Sequence, residues 1–142
     1  MALPTPEIGL VLNYAYLWHE EYLAGRDEGM KNRPSVIVLS SMLTEEGSTW
    51  VTVLPITHSP PKIKTMAIEI PQTIKKHLGL DDDQSWIVIS EGNEFIWPGY
   101  DLRKVRGTQT YHYGFLPPRF FIQVRDAFVK HARESNVKTS LR

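Results

Sequence analysis

The sequence predicts a mainly β domain, a small antiparallel sheet or barrel closed by one long helix. Three observations carry that expectation. Short runs rich in β-branched and aromatic residues recur along most of the chain, separated by Gly, Pro, Asn and Asp turn signals. The clearest run, 35–41 (SVIVLSS), is followed through Glu46-Gly47 by 49–56 (TWVTVLPI), and the two read as a hairpin. Only after Pro117-Pro118 does the period change: Phe120, Phe121, Val124, Phe128 and Ala132 recur at helical spacing and form an apolar stripe that can pack on the sheet.

The other elements follow in order. Residues 8–18 (IGLVLNYAYLW) alternate only in part, which suits a first strand buried on one face and partly on the other. Residues 19–32 (HEEYLAGRDEGMKN) are charged, contain Gly25 and Gly29 and sustain no stripe, so they read as a long mobile loop, a flap. A Pro-containing loop at 57–64 leads to a short strand at 66–70 and a short helix at 71–77 capped by Gly79. Two further strands, 85–90 and 93–97, are expected to be joined by a turn at Glu91-Gly92, and Trp97-Pro98-Gly99 ends the second. The stretch at 111–115 fits no single pattern. With no repeat, low-complexity block or linker, residues 1–142 read as one domain, with 136–142 a frayed tail.

Composition narrows the chemistry. At 142 residues the chain can bury about two-thirds of its unfolded surface around one core. Its 42% hydrophobic and 23% charged residues lie far from the signature of disorder. No apolar run approaches the roughly 20 residues of a membrane span, and the first residues lack a signal-like pattern, so a cytoplasmic protein without membrane association is expected. The absence of cysteine excludes disulfides, thiolate zinc sites and thiol nucleophiles. Zero net charge gives no global support for a nucleic-acid partner. From Arg119 to Arg142, however, six Lys/Arg stand against two Asp/Glu, a local +4. The five histidines are scattered and Asp81-Asp82-Asp83 reads as a solvated turn, so neither a metal nor a cofactor is expected.

The richest chemistry lies where the hairpin ends meet. Lys31-Asn32-Arg33-Pro34 enters one strand and Pro55-Ile56-Thr57-His58-Ser59-Pro60 leaves its antiparallel partner, so Arg33 and Thr57 belong at the same sheet edge. A guanidinium fork there suits phosphate oxygens and developing negative charge, and an imidazole can move a proton near neutral pH. Thr57 and Ser59 also fit a plain strand end opening a turn. Trp97, Asp101 and Arg103 belong to a cluster that either stacks a splayed base and binds its backbone or is a packed tryptophan beside an Asp101 to Arg103 surface pair.

On the segments Arg33-Pro34-Ser35-Val36-Ile37-Val38-Leu39-Ser40 and Val53-Leu54-Pro55-Ile56-Thr57, in that order and spacing, and on the closing helix, the sequence resembles the MazF/PemK family of toxin ribonucleases. The resemblance implies an SH3-like, MazF/PemK/CcdB-like barrel with appended helices, usually a homodimer, that cuts single-stranded RNA without a metal and is restrained by a cognate antitoxin. Arg33 and Thr57 then stand at the family's catalytic arginine and threonine, with products bearing 2′,3′-cyclic phosphate and 5′-hydroxyl ends. His58 is assigned here as acid or base, and Lys31, Ser59, Lys62, Lys64, Trp97, Asp101 and Arg103 as RNA contacts. Where the family often has an Asp-Gln-Ile-Arg-like segment, this chain reads Ser90-Glu91-Gly92-Asn93-Glu94. The competing expectation is a barrel that binds nucleic acid or a protein without cleaving it, either as a binding module or as a degenerate toxin.

Overall fold

A computed structural model describes residues 3–26, 29, 31–43, 47–135 and 137–142. Among these, the strands are β1 (Leu10–Tyr14), β2 (Arg33–Leu43), β3 (Ser48–Thr57), β4 (Ala67–Glu69), β5 (Trp86–Val88), β6 (Glu91–Ile96), β7 (His112–Phe115) and β8 (Lys138–Leu141). The helices are α1 (His19–Leu23), α2 (Gln72–His77) and α3 (Pro118–Glu134), with a 3-10 turn at Lys64–Met66. The strands join in the order β4-β5-β3-β2-β1-β7, while β6 also pairs with β3 and β8 with β6. The β6 to β8 ladder is parallel and every other ladder is antiparallel.

The central strands are buried on both faces, which is why their alternation is blurred in sequence. Val11, Val36, Val38, Leu54 and Ile56 point to one core, covered by Phe120, Phe121, Val124 and Phe128 of α3. Leu10, Leu12, Tyr14, Ile37, Val51 and Val53 point to a second core with Tyr16 and Phe95. The α3 stripe is therefore used as its spacing predicts, except that Ala132 is exposed. No described helix is long and apolar enough to cross a membrane.

Three expectations are corrected. Glu91-Gly92 is no turn: β5 and β6 both run antiparallel along β3, β5 at Ile56 and Thr57 and β6 at Trp50 to Val53. Gly92 signals close packing instead, because a Cβ there would lie 3.1 Å from the Val53 carbonyl oxygen. The expected frayed tail contains β8, which adds to the β6 edge at Glu91 to Glu94. Part of the expected flap is helical: the Trp18 N–H donates to Glu21 Oε1 at 3.1 Å and opens α1. Of that segment Asp27, Glu28 and Met30, like Glu46 in the hairpin turn, lie outside the described residues. The unassigned 111–115 stretch supplies β7.

Candidate functional site

The β2 to β3 register sets the site. Ser35 pairs with Pro55, so two residues further out Arg33 and Thr57 reach the same edge, and on its other side Arg33 pairs with Tyr14 of β1. Arg33, Thr57, His58 and Ser59 line one groove of about 1350 Å3, whose walls include Lys31 and Lys62. Five predicted site residues besides Arg33 thus share this groove with it. Trp18, Glu91, Arg106 and Tyr113 also line the groove.

Arg33 is held rather than free. Its guanidinium carbon lies 4.9 Å from the Trp18 ring centroid, a cation–π stack, and its buried Nε has no hydrogen-bond partner among the described residues. Burial holds this guanidinium below its ordinary pKa, opposed by the negative charge of Glu21. A buried N–H without an acceptor is costly unless an acceptor arrives, so the group is suited to an incoming anion. Thr57 is prepared in a different way. Its Oγ1 accepts the Ser59 N–H at 3.2 Å, which leaves the hydroxyl proton available for a ligand oxygen.

Beside them, His58 Nε2 lies 2.8 Å from Asp81 Oδ2, while Asp81 Oδ1 accepts from Lys75 Nζ at 2.7 Å. Lys75 is only 1% exposed and also donates to the Asp83 carbonyl. The end of α2 makes this possible. Gly79 N–H bonds to the Lys76 carbonyl and Leu80 N–H to the Lys75 carbonyl, and Gly79 takes φ +69°, so the chain reverses in a Schellman cap and returns Asp81 over Lys75. Desolvation pushes the Asp81 carboxyl up, but the Lys75 hydrogen bond and the charges of His58 and Lys75 outweigh it and hold the group below its ordinary value. His58, Asp81 and Asp83 each bring one ligand atom within 4.8 Å of the others. The Lys75 ammonium already occupies Asp81 Oδ1 and opposes a cation there, so the triplet is organised as an ion-pair chain.

Glu91 closes the far wall. Its Oε1 accepts the Tyr16 hydroxyl at 3.0 Å and the His19 N–H at 2.9 Å. Burial raises its carboxyl pKa, with those two donors opposing. In the lining, Lys31, Arg33, Lys62 and Arg106 face Glu20, Asp81 and Glu91, and Asp81 is further offset by Lys75. A neutral chain therefore has a groove with a local cationic excess.

The remaining predicted contacts lie elsewhere. Lys64 is exposed in the 3-10 turn outside the groove lining. Trp97 stacks on Phe95 with centroids 6.2 Å apart, on the second core. Asp101 is buried against Arg142, and Arg103 Nη1 donates to the Tyr100 and Leu102 carbonyls at 2.9 and 3.1 Å. Sequence reasoning missed Trp18, Lys75, Glu91 and Arg106 as site residues and took Asp81 for a solvated turn. Of these, the sequence sets apart only Glu91 and Asp81, as parts of an atypical segment and an acidic run. No protein-family model, curated protein or solved structure matches the chain.

Proposed function

We propose that this protein is a metal-independent endoribonuclease of the MazF/PemK toxin kind, built on an SH3-like barrel, with the groove between the ends of β2 and β3 as its active site. One observation carries the reading: Arg33, Thr57 and His58, an anion fork, a hydroxyl donor and an imidazole, line a single groove with a cationic excess. The sharing of β3 among β2, β5 and β6 supports a sheet curled toward a barrel.

In this reaction the RNA 2′-oxygen forms a bond to the adjacent phosphorus as the bond from phosphorus to O5′ breaks. The 2′-hydroxyl proton passes to a base, and a proton is delivered to the departing O5′. Arg33 neutralises charge on the pentavalent phosphate, Thr57 donates to a phosphate oxygen, and His58 serves as one of the proton-transfer groups. Lys31, Ser59 and Lys62 hold neighbouring backbone. Two copies related by a twofold axis lengthen the groove to span several nucleotides, and an antitoxin segment lying across it blocks access.

The test is incubation of purified protein with mixed RNA in chelator and mapping of the cut ends. Cyclic phosphate and 5′-hydroxyl ends are expected, with Arg33→Ala reducing the rate about 100-fold, the scale for losing one preorganised charge stabiliser. Full activity of that variant overturns the assignment.

A further inference from the structure

The imidazole of His58 is tethered at one nitrogen only. Nε2 is taken by Asp81 Oδ2 at 2.8 Å, and no described residue bonds Nδ1. Asp81 is itself fixed from below: Lys75 holds Oδ1 at 2.7 Å and the Asp83 N–H reaches the same oxygen at 3.1 Å. Both carboxylate oxygens are therefore committed, one to the buried ammonium and backbone, the other to the ring. A solvated acidic turn has no need of a lysine buried to 1% exposure, and placing an ammonium in a core is costly without a fixed counter-charge.

We propose that Asp81, clamped by the buried Lys75, is a positioning residue that holds His58 with Nε2 as the hydrogen-bonded nitrogen and Nδ1 as the proton-transfer atom toward the groove. The proposal rests on the nuclease reading for its role, since His58 is there a proton-transfer group. The contacts from Lys75 through Asp81 to His58 exist without any substrate. A carboxylate on one nitrogen of an imidazole fixes the tautomer and the ring angle, so the other nitrogen meets the reacting proton without a search. Lys75 and Asp81 are contributed by α2 and the turn after its Schellman cap, and His58 is the residue just beyond β3, so the chain of contacts ties the groove to a separate part of the fold.

The experiment is long-range nitrogen-to-proton NMR of the His58 ring, at a pH well above the ordinary imidazole range, in the free protein and in three variants. In the wild type two well-separated ring nitrogen resonances are expected, with the protonated nitrogen assigned to Nε2 and its proton protected from exchange. Asp81→Ala is expected to remove the protection and move the two nitrogens toward the averaged positions of a mobile histidine. Because Asp81→Ala strands the Lys75 charge and can unfold the protein, the Asp81→Ala/Lys75→Met pair removes both charges together and is expected to fold with the same loss of signature. Lys75→Met alone is expected to weaken the protection while leaving the Nε2 tautomer. With RNA, the double variant is expected to lose about tenfold or more in kcat, part of what a positioned acid–base group supplies, with KM changed less than about twofold.

A protonated Nδ1 in the wild type, or an unchanged His58 signature in the double variant, overturns the proposal even if the protein cleaves RNA. The expected ring signature in a protein that does not cleave RNA leaves the positioning of His58 by Asp81 standing and removes the nuclease reading.

Discussion

Asp101 and Arg142 form a buried two-point clasp: Arg142 Nε donates to Oδ2 and Nη2 to Oδ1, each at 3.1 Å, with both side chains less than a tenth exposed. The pair fastens the residue just beyond β8 to the loop after β6. Removing one partner leaves a desolvated charge, so Arg142→Ala is expected to lower stability by about 3–5 kcal/mol. Urea unfolding checks this, and a loss below about 1 kcal/mol would place the clasp with weak surface pairs.

A second long-range tie is neutral. The fully buried Asn93 side chain donates to the Leu17 carbonyl at 2.7 Å and accepts the Leu17 N–H at 2.9 Å, so an amide side chain completes the backbone pairing that β1 has lost after Tyr14. Asn93→Leu strands both groups at roughly 1–3 kcal/mol each. Thermal unfolding is expected to show a clearly lower midpoint, whereas an Asn93→Leu midpoint equal to wild type would mean that the Leu17 groups find other partners.

Thr57 separates hydroxyl chemistry from bulk. Thr57→Ser keeps an oxygen that can accept the Ser59 N–H and donate onward, while Thr57→Val keeps the shape alone. RNA cleavage by the serine variant is expected within a few-fold of wild type, and by the valine variant to fall about 100-fold, the scale for one preorganised donor. Equal rates in the two variants would remove the hydroxyl from the reaction.

Glu91 gives stability a pH dependence of definite sign. Burial raises its folded pKa above the ordinary value of 4.5. Its contribution is therefore intact below that value and is lost as pH rises through the folded one. Glu91→Gln retains an oxygen for the Tyr16 and His19 donors and cannot ionise. Its stability relative to wild type is expected to rise with pH across the window that opens above the ordinary value of 4.5. A flat or falling difference across that window in chemical denaturation overturns the sign.

The hairpin, α2 and its cap, and the packing face of α3 were legible because each is a local pattern: alternation between turn signals, a glycine just past a short helix, a stripe at helical spacing. The groove was legible in its Arg33 and Thr57 edge, since antiparallel pairing alone brings strand ends together. Gly92 misled because a glycine that makes room for the Val53 carbonyl looks the same in sequence as one that turns the chain. β8 was invisible because Lys138, Thr139, Ser140 and Leu141 carry no apolar alternation; their place comes from the open β6 edge and from Asp101. Lys75 and Asp81 could not be paired from sequence because a lysine on a short helix has the same letters whether it is solvated or buried.

The stack of Arg33 on Trp18 gives the groove an optical voice. The indole sits 4.9 Å from a cation, and its excited state is sensitive to the local field. An anion drawn to Arg33 changes that field at a ring that itself lines the groove. Phe substitutions at Trp50, Trp86 and Trp97 leave Trp18 as the sole tryptophan. Its emission then reports occupancy of the groove in real time, without label or cleavage.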